Sequence, residues 1–496
     1  MTQIPTPTTP LKVPSKNPQA LASAIIRGFF TGPNGTPTLL VPDWTQNQIF
    51  YLWVQDRWVQ LSPSQMEPLI RRLIHHIRFE PPPSPSSKGP GRPPSPTIPA
   101  TSNLIREIIS NMGVMPLLSL PDSDPPLYLT EPPPSFDLLW SVPFLDCLYD
   151  PITDTTTPRT QSYFDTTVIP HDHAPTINAT CPLWLSKLDE WSQSEPEWIS
   201  LLQQWMGYCL VSDRSLHRFL LLIGKPRSGK GTIGRVIRNL VGPSHYIDKS
   251  LRNLTERFGL SGLEQARILS IPEVSKLDTI SGETATEILK RIIAQDGIVT
   301  ERKFEAPLHV IPRSLVMLMS NQMIELPDRS QGLSSKMLAL RFERSFLGSE
   351  DHRLDQKLRS ELPGIINWAL SGLRTLASTH LLQNPPSSRY LLEVQIREAN
   401  WVEDFLRTCF APAPSHFVSN QTLHRRFTRW QEISGVRLPK KPTIRYLTTQ
   451  ILNETAWPLQ RGKSPTHAER GIYGMRPLRS LNFEGDTEER RPTTYD

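Results

Sequence analysis

FLLLIGKPRSGKGTIGRVIRNL, residues 219 to 240, runs from an unbroken apolar segment through a glycine-rich turn into a helical pattern. That succession predicts a buried strand, a turn and a helix, the arrangement that cradles nucleotide phosphates. Gly224 and Gly229 bracket the turn, and without Cβ atoms the backbone can curl until successive N–H groups converge on an anion. Lys230 adds a point charge, and a helix beginning near Thr232 aims its positive dipole end at the same place. Ile233, Ile237 and Leu240 give that helix one apolar face, and Gly242 ends it. The candidate nucleotide-binding set is Gly224, Lys225, Pro226, Arg227, Ser228, Gly229, Lys230, Gly231 and Thr232. In the commonest form of such a loop a Ser or Thr that holds magnesium follows the lysine. Here Gly231 takes that place and the hydroxyl arrives at Thr232.

Two more apolar strands follow, RILSIPE (267 to 273), ending in a carboxylate, and SLVMLMSN (314 to 321), ending in an amide. Between them TATEILKRIIAQDGIVTERKF reads as a helix and then a charged hairpin or loop. Strands alternating with helices predict a largely parallel sheet, with ligands at the carboxyl ends of its strands. Glu273 and Asn321 are thereby expected to face Lys230. Hydrolysis of a phosphoanhydride needs a carboxylate to orient magnesium or the attacking water and a polar group to position that water. Thr232 and Glu273 are the candidate metal-linked residues, and ATP and Mg2+ the expected cofactors.

The rest of the chain sets bounds. The 54 Lys plus Arg exceed the 48 Asp plus Glu by 6, and 38% apolar with 21% charged residues is ordinary for a soluble protein of 496 residues. Cys147, Cys181, Cys209 and Cys409 lie far apart with no CxxC pair, against a disulfide framework and a zinc ribbon. His171, His173 and Cys181 share a proline-rich loop and carry no metal assignment. With no apolar signal core and no membrane-length run, a cytoplasmic protein with no membrane partner is expected.

In chain order, residues 1 to 18 hold Pro5, Pro7, Pro10, Pro14 and Pro18 and read as a disordered tail. Residues 19 to 200 form an amino-terminal region. It contains a helix over NPQALASAIIRGFF, a hairpin over QIFYLWVQDRWVQL, a helix over SPSQMEPLIRRLIHHI and another from Leu104 to Met115. A connector at 81 to 99 has nine prolines in nineteen positions. Trp198, Leu201, Leu202, Trp205 and Met206 make one face of a helix expected to pack against the nucleotide domain, residues 201 to 385.

Residues 401 to 480 hold 13 Lys plus Arg against 5 Asp plus Glu, a surplus of 8 that exceeds the whole chain's. Three helices, with Leu423, Phe427 and Trp430 on one side of the second, and a terminal hairpin through GIYGMRPL predict a winged helix-turn-helix over 400 to 480. Arg425, Arg426, Lys440, Lys441 and Arg445 are its candidate phosphate contacts. Residues 481 to 496 read as a second disordered tail.

The order GKPRSGKGT, RILSIPE, LKRIIAQDGIVTERKF, SLVMLMSN and DQKLRSELPGIINWALSGL resembles the superfamily 3 helicase domain of phage and plasmid helicase-primases, a family that includes the poxvirus primase-helicase. The resemblance covers roughly residues 36 to 480. It implies an α/β phosphate-loop NTPase of the AAA-like, superfamily 3 kind, with a helical or α+β amino-terminal helicase-associated region and a carboxyl-terminal winged helix. It implies an ATP-driven DNA helicase, a homo-hexameric ring acting on single- and double-stranded DNA, with Arg302 and Lys303 on a hairpin that grips the single strand. The family usually has paired arginines before the strand ending in Phe342, acting on the neighbouring subunit's ATP. Ser335 and Lys336 stand there instead, which makes Lys336 the candidate finger. The family's primase domain has no counterpart in the residues before this region, so a separate primase is an expected partner. Two other functions fit parts of the pattern: a nucleoside monophosphate kinase, whose phosphate loop GKPRSGKGT also resembles, and a non-catalytic origin-binding protein that uses ATP only to assemble on DNA.

Overall fold

The computed structural model describes residues 10–31, 38–42, 49–54, 57–80, 95–115, 119–120, 125–130, 137–274, 279–301, 307–322, 324, 332–389, 401–434, 436, 443–455, 457–464 and 469–478. They fall into two compact units, the first running to Pro385 without 327–335, the second from Pro386 onward with 327–335. The first is a mixed α/β unit with a five-stranded, all-parallel sheet.

That sheet is built from β1 (Phe219–Gly224), β2 (Tyr246–Asp248), β3 (Ile268–Ile271), β4 (Leu315–Ser320) and β5 (Met337–Phe342), in the spatial order β2-β3-β4-β1-β5. All residues of β3 and β4 are buried, as expected of strands covered on both faces, which read as continuous apolar runs rather than alternations. From β1 the chain enters helix α1 (Lys230–Val241) and crosses β4 and β3 to reach β2 at one edge. From β4 it passes over β1 to reach β5 at the other edge. Connections therefore leave in opposite directions beside β1, which opens a crevice at the strands' carboxyl ends. Helix Pro196–Tyr208 buries Trp198, Leu201, Leu202, Trp205 and Met206 in the same core as the sheet, as expected. Trp198 donates its indole N–H to Arg341 O of β5 at 3.1 Å.

The amino-terminal part of this unit has its own core, with helices Pro18–Phe29, Pro63–Ile74 and Ser102–Met112 beside a four-stranded sheet. The hairpin pairs Phe50–Val54 with Arg57–Leu61 in antiparallel register, and Ser62 with Gln65 forms a capping box on the helix that follows. The expected tail is corrected in its second half. Leu11–Val13 is a strand parallel to Ile77–Phe79, anchored where Val13 is buried and Lys12 meets Glu80 at 3.0 Å. The connector's end also docks: Ile98 is buried and Lys16 donates to Ser95 O and Thr97 O. Residues 1–9, 81–94 and 479–496 lie outside the described residues.

The second unit holds helices Trp401–Cys409, Asn420–Ser434 and Ile444–Glu454 and a three-stranded antiparallel sheet in which Arg470–Pro477 is central. Trp401, Phe405, Phe427 and Trp430 form its aromatic centre, with Phe405 5.3 Å from Phe427 and 5.5 Å from Trp430 between ring centroids. Strand Phe410–Ser419 was not expected from the sequence. Pro412 and Pro414 argue against a strand, but this one lies at the sheet edge and bulges between Ala413 and Phe417, where proline costs no ladder bond. All four cysteines are free and buried, and no helix among the described residues is long and apolar enough to cross a membrane.

Candidate functional site

Gly224 ends β1 with φ at +154°, and a Cβ there would lie 2.2 Å from Phe342 O on β5, so no side chain fits. Arg227 at +59° and Gly229 at +106° complete the curl, and a Cβ on Gly229 would meet the indole of Trp191 at 2.7 Å. Gly229 is the N-cap of α1, and the turn therefore delivers the helix's positive end to the crevice. Its outer rim is strapped by the segment after β5. Phe346 N donates to Arg227 O at 2.8 Å, and Ser345 Oγ donates to Pro226 O at 2.8 Å.

Lys230 folds back under the turn. Its Nζ donates to Gly224 O at 2.6 Å, Lys225 O at 2.8 Å, Ser228 Oγ at 3.3 Å and Asn321 Oδ1 at 3.2 Å. Burial holds its pKa below the ordinary 10.5. All its partners are neutral oxygens, so an arriving anion gains a charge-assisted interaction that no residue here already supplies. The expected meeting of Lys230 with Asn321 is thus present. Both line a cleft of about 560 Å³ together with Pro226–Thr232, Trp191, Arg235 and the segment from Phe346 to Asp355.

Glu273 is placed differently. It lies exposed just past β3, at the same end of the sheet, but does not line the cleft. Between β3 and β1 stands β4, so its backbone is about 10 Å from the loop strand, two strand spacings. Thr232, mostly buried, accepts a hydrogen bond from Arg235 Nη2 at 3.1 Å. A divalent metal shared by Thr232 and Glu273 therefore does not fit the residues as they stand. The hydroxyl already faces a guanidinium, and the carboxylate lies outside the cleft.

Lys336 sits at the opposite end of the sheet. Met337 pairs with Phe219, whereas Phe342 pairs with Gly224, so six residues of strand, about 20 Å, separate Lys336 from its own loop. No lysine side chain spans that distance, so Lys336 does not reach its own loop. Arg341 is at the loop end of β5 and pairs with Glu343 at 2.7 Å.

Of the candidate DNA contacts, Arg302, Lys303, Lys440 and Lys441 lie outside the described residues; the strands flanking the first pair, Ile298–Thr300 and Leu308–Val310, do form an antiparallel hairpin. Arg425 and Arg445 are exposed. Arg426 is corrected: it is 2% exposed, donates to Cys409 O and Leu478 O at 3.0 Å each, and lies over the Phe410 ring. It ties helix Asn420–Ser434 to the end of helix Trp401–Cys409 and to the residue after strand Arg470–Pro477, and cannot meet a phosphate.

The cleft also contains residues not anticipated from the sequence: Trp191, Arg235, Phe346, Glu350 and Asp355. Arg235 alone was within reach of sequence reasoning, as the next cation along the helix after Lys230. The others come from segments far along the chain, and only tertiary packing brings them in.

A family profile described as a family of unknown function, DUF5906, matches residues 222–336, the stretch from β1 to the start of β5. Among solved structures, the apo C-terminal region of NrS-1 covers 93% of this chain and 100% of its own, at 13% identity and a TM-score of 0.46. Its A form gives 12% identity and a TM-score of 0.45 with the same coverage. Likeness at this level says nothing about activity.

Proposed function

We propose that this chain is an ATP hydrolase of the phosphate-loop, superfamily 3 helicase type, coupling hydrolysis to movement along single-stranded DNA and to duplex unwinding. One observation carries the reading. A glycine turn at a switch point of a parallel sheet places Lys230 within 3.2 Å of Asn321 in one cleft, with neutral partners for the charge. A triphosphate entering there meets the turn's N–H groups, the positive end of α1 and Lys230. Asn321, on the adjoining strand, positions a water for in-line attack on the γ-phosphorus. The new P–O bond forms as the bond to the β–γ bridging oxygen breaks, releasing ADP and phosphate. Glu273 takes the water's proton once it swings toward the cleft or works through a second water. The developing charge is met by Lys336 of the next subunit in a ring, consistent with its remoteness from its own loop.

In the second unit, three helices and three strands in the order helix, strand, helix, helix, strand, strand support a winged helix-turn-helix, with Arg425 and Arg445 toward DNA phosphate. One observation favours a second reading. Glu273 does not line the cleft, as it need not in a protein that binds ATP only to assemble on DNA. Multiple-turnover ATP hydrolysis, measured with and without single-stranded DNA, separates the two: stimulated turnover supports the helicase, and binding without turnover supports the assembly protein. Transfer of phosphate from ATP to AMP would instead place the chain with the monophosphate kinases.

A further inference from the structure

Beside Thr232, where a divalent metal shared with Glu273 does not fit, stands the side chain of Arg235. It extends from α1 back toward the helix start and is held at two points. Nε lies 2.6 Å from Asp355 Oδ2, and Nη2 donates to Thr232 Oγ1 at 3.1 Å. Nη1 lies 3.3 Å from where a Cβ on Gly231 would sit. A Cβ directly after Lys230 would lie close to this guanidinium, whose exposed end would shift by a few tenths of an ångström to admit it. The cation beside the first turn of the helix is part of the chain.

Asp355 is the element that holds it there. It opens helix Leu354–Ser360, one residue past its start, at the far side of the cleft. The pair is half exposed, 53% for Arg235 and 46% for Asp355, so its net stabilisation is small and the arginine can exchange its partner at little cost. A triphosphate is a stronger competitor than one carboxylate. It brings several anionic oxygens, and the planar guanidinium matches two of them at once. A second pair of the same kind, Arg227 with Glu350 at 3.8 Å, bridges the turn to the same segment.

We infer that Arg235 is a phosphate-binding residue of this cleft, supplying from the chain itself the positive charge beside Thr232 that a divalent metal supplies in other phosphate loops. The inference rests on the nucleotide reading above and deepens it. Arg235 binds the ground-state phosphates of the nucleotide in its own subunit, and Asp355 holds it in place until they arrive. Its consequence concerns binding, not turnover: nucleotide affinity is carried largely without a divalent metal.

The test is a titration of a fluorescent ATP analogue against the full-length protein, in magnesium and again in EDTA. The wild type is expected to lose no more than about threefold in affinity on chelation, and Arg235→Ala to lose about tenfold in magnesium and more in EDTA. Arg235→Lys should recover part of the loss in both buffers, since a lysine keeps the charge but not the two-pronged contact. Asp355→Asn removes the competing carboxylate and should raise affinity a few-fold, which a merely structural pair would not do. Thermal melts without nucleotide identify any variant that fails to fold, and Asp355→Asn then carries the test alone. Wild-type binding that collapses in EDTA, or an Arg235→Ala protein that binds as the wild type does in both buffers, overturns the inference. Lys230→Ala separates this from failure of the nucleotide reading: if it binds as tightly as the wild type in magnesium, the reading itself is wrong.

Discussion

Burial makes the charge of Lys230 costly, and two opposite pH dependences follow. Folded Lys230 releases its proton below 10.5, while an unfolded lysine holds it to that value. Between the two the unfolded chain binds more protons, so the stability of the nucleotide-free protein gains from this group as pH rises. Nucleotide affinity must do the reverse, because the phosphates need the protonated amine. A titration of affinity from pH 7 upward should show binding weakening before an ordinary lysine would titrate; flat affinity to pH 10.5 would contradict the role given to Lys230. Arg425 and Arg426 make a second residue-scale contrast between neighbours in sequence. Arg426→Ala should cost the second unit about 1 to 3 kcal/mol, seen as a lower melting temperature, because it removes the side-chain donor to Leu478 O and one of the two donors to Cys409 O. Arg425→Ala should leave melting unchanged and reduce the salt slope of duplex binding by about one.

At the scale of elements, the turn is specified by backbone geometry rather than by side-chain chemistry. Gly229→Ala would place a Cβ against Trp191 in a left-handed backbone, which costs roughly 1 to 3 kcal/mol and shifts the helix start. The expected result is a modest fall in melting temperature with a disproportionate loss of nucleotide affinity. Equal affinity would show that the turn does not form the phosphate cradle. This turn, β3, β4 and helix Pro196–Tyr208 were all legible in the sequence, because each announces itself through a local pattern: glycine spacing, an apolar run or a helical face. Strand Phe410–Ser419 was not, since its prolines are permitted only by an edge position that the neighbouring strands define. Leu11–Val13 was hidden for a similar reason, being too short to stand alone and completed by Ile77–Phe79 more than sixty residues later. The cleft divides the same way. Lys230 and Asn321 followed from strand ends, whereas Asp355 reaches Arg235 only through packing. Arg426 was misplaced because it was read as one of a basic pair, although it stands three residues after Leu423 and four before Trp430, on the helix's apolar face.

For the whole molecule, the distance along β5 makes assembly a testable matter. Lys336 lies about 20 Å from its own loop, so any part it has in hydrolysis belongs to a neighbour's nucleotide. Mixing Lys336→Ala subunits with Glu273→Gln subunits, each nearly inactive alone, should restore some hydrolysis, since mixing in the proposed ring would create interfaces where both residues are intact. No recovery in rings shown to be mixed would remove Lys336 from that role. All of this depends on one claim, that the turn from Gly224 to Thr232 holds the phosphates of a nucleotide through Lys230. Isothermal titration of ATP into the intact protein and into Lys230→Ala tests it most directly. Saturable binding by the wild type, weakened about a hundredfold or more in the correctly folded variant, is the predicted result, as expected when a buried charge is removed from a polyanion site. Equal affinity in the two proteins, or no binding by the wild type, would contradict it.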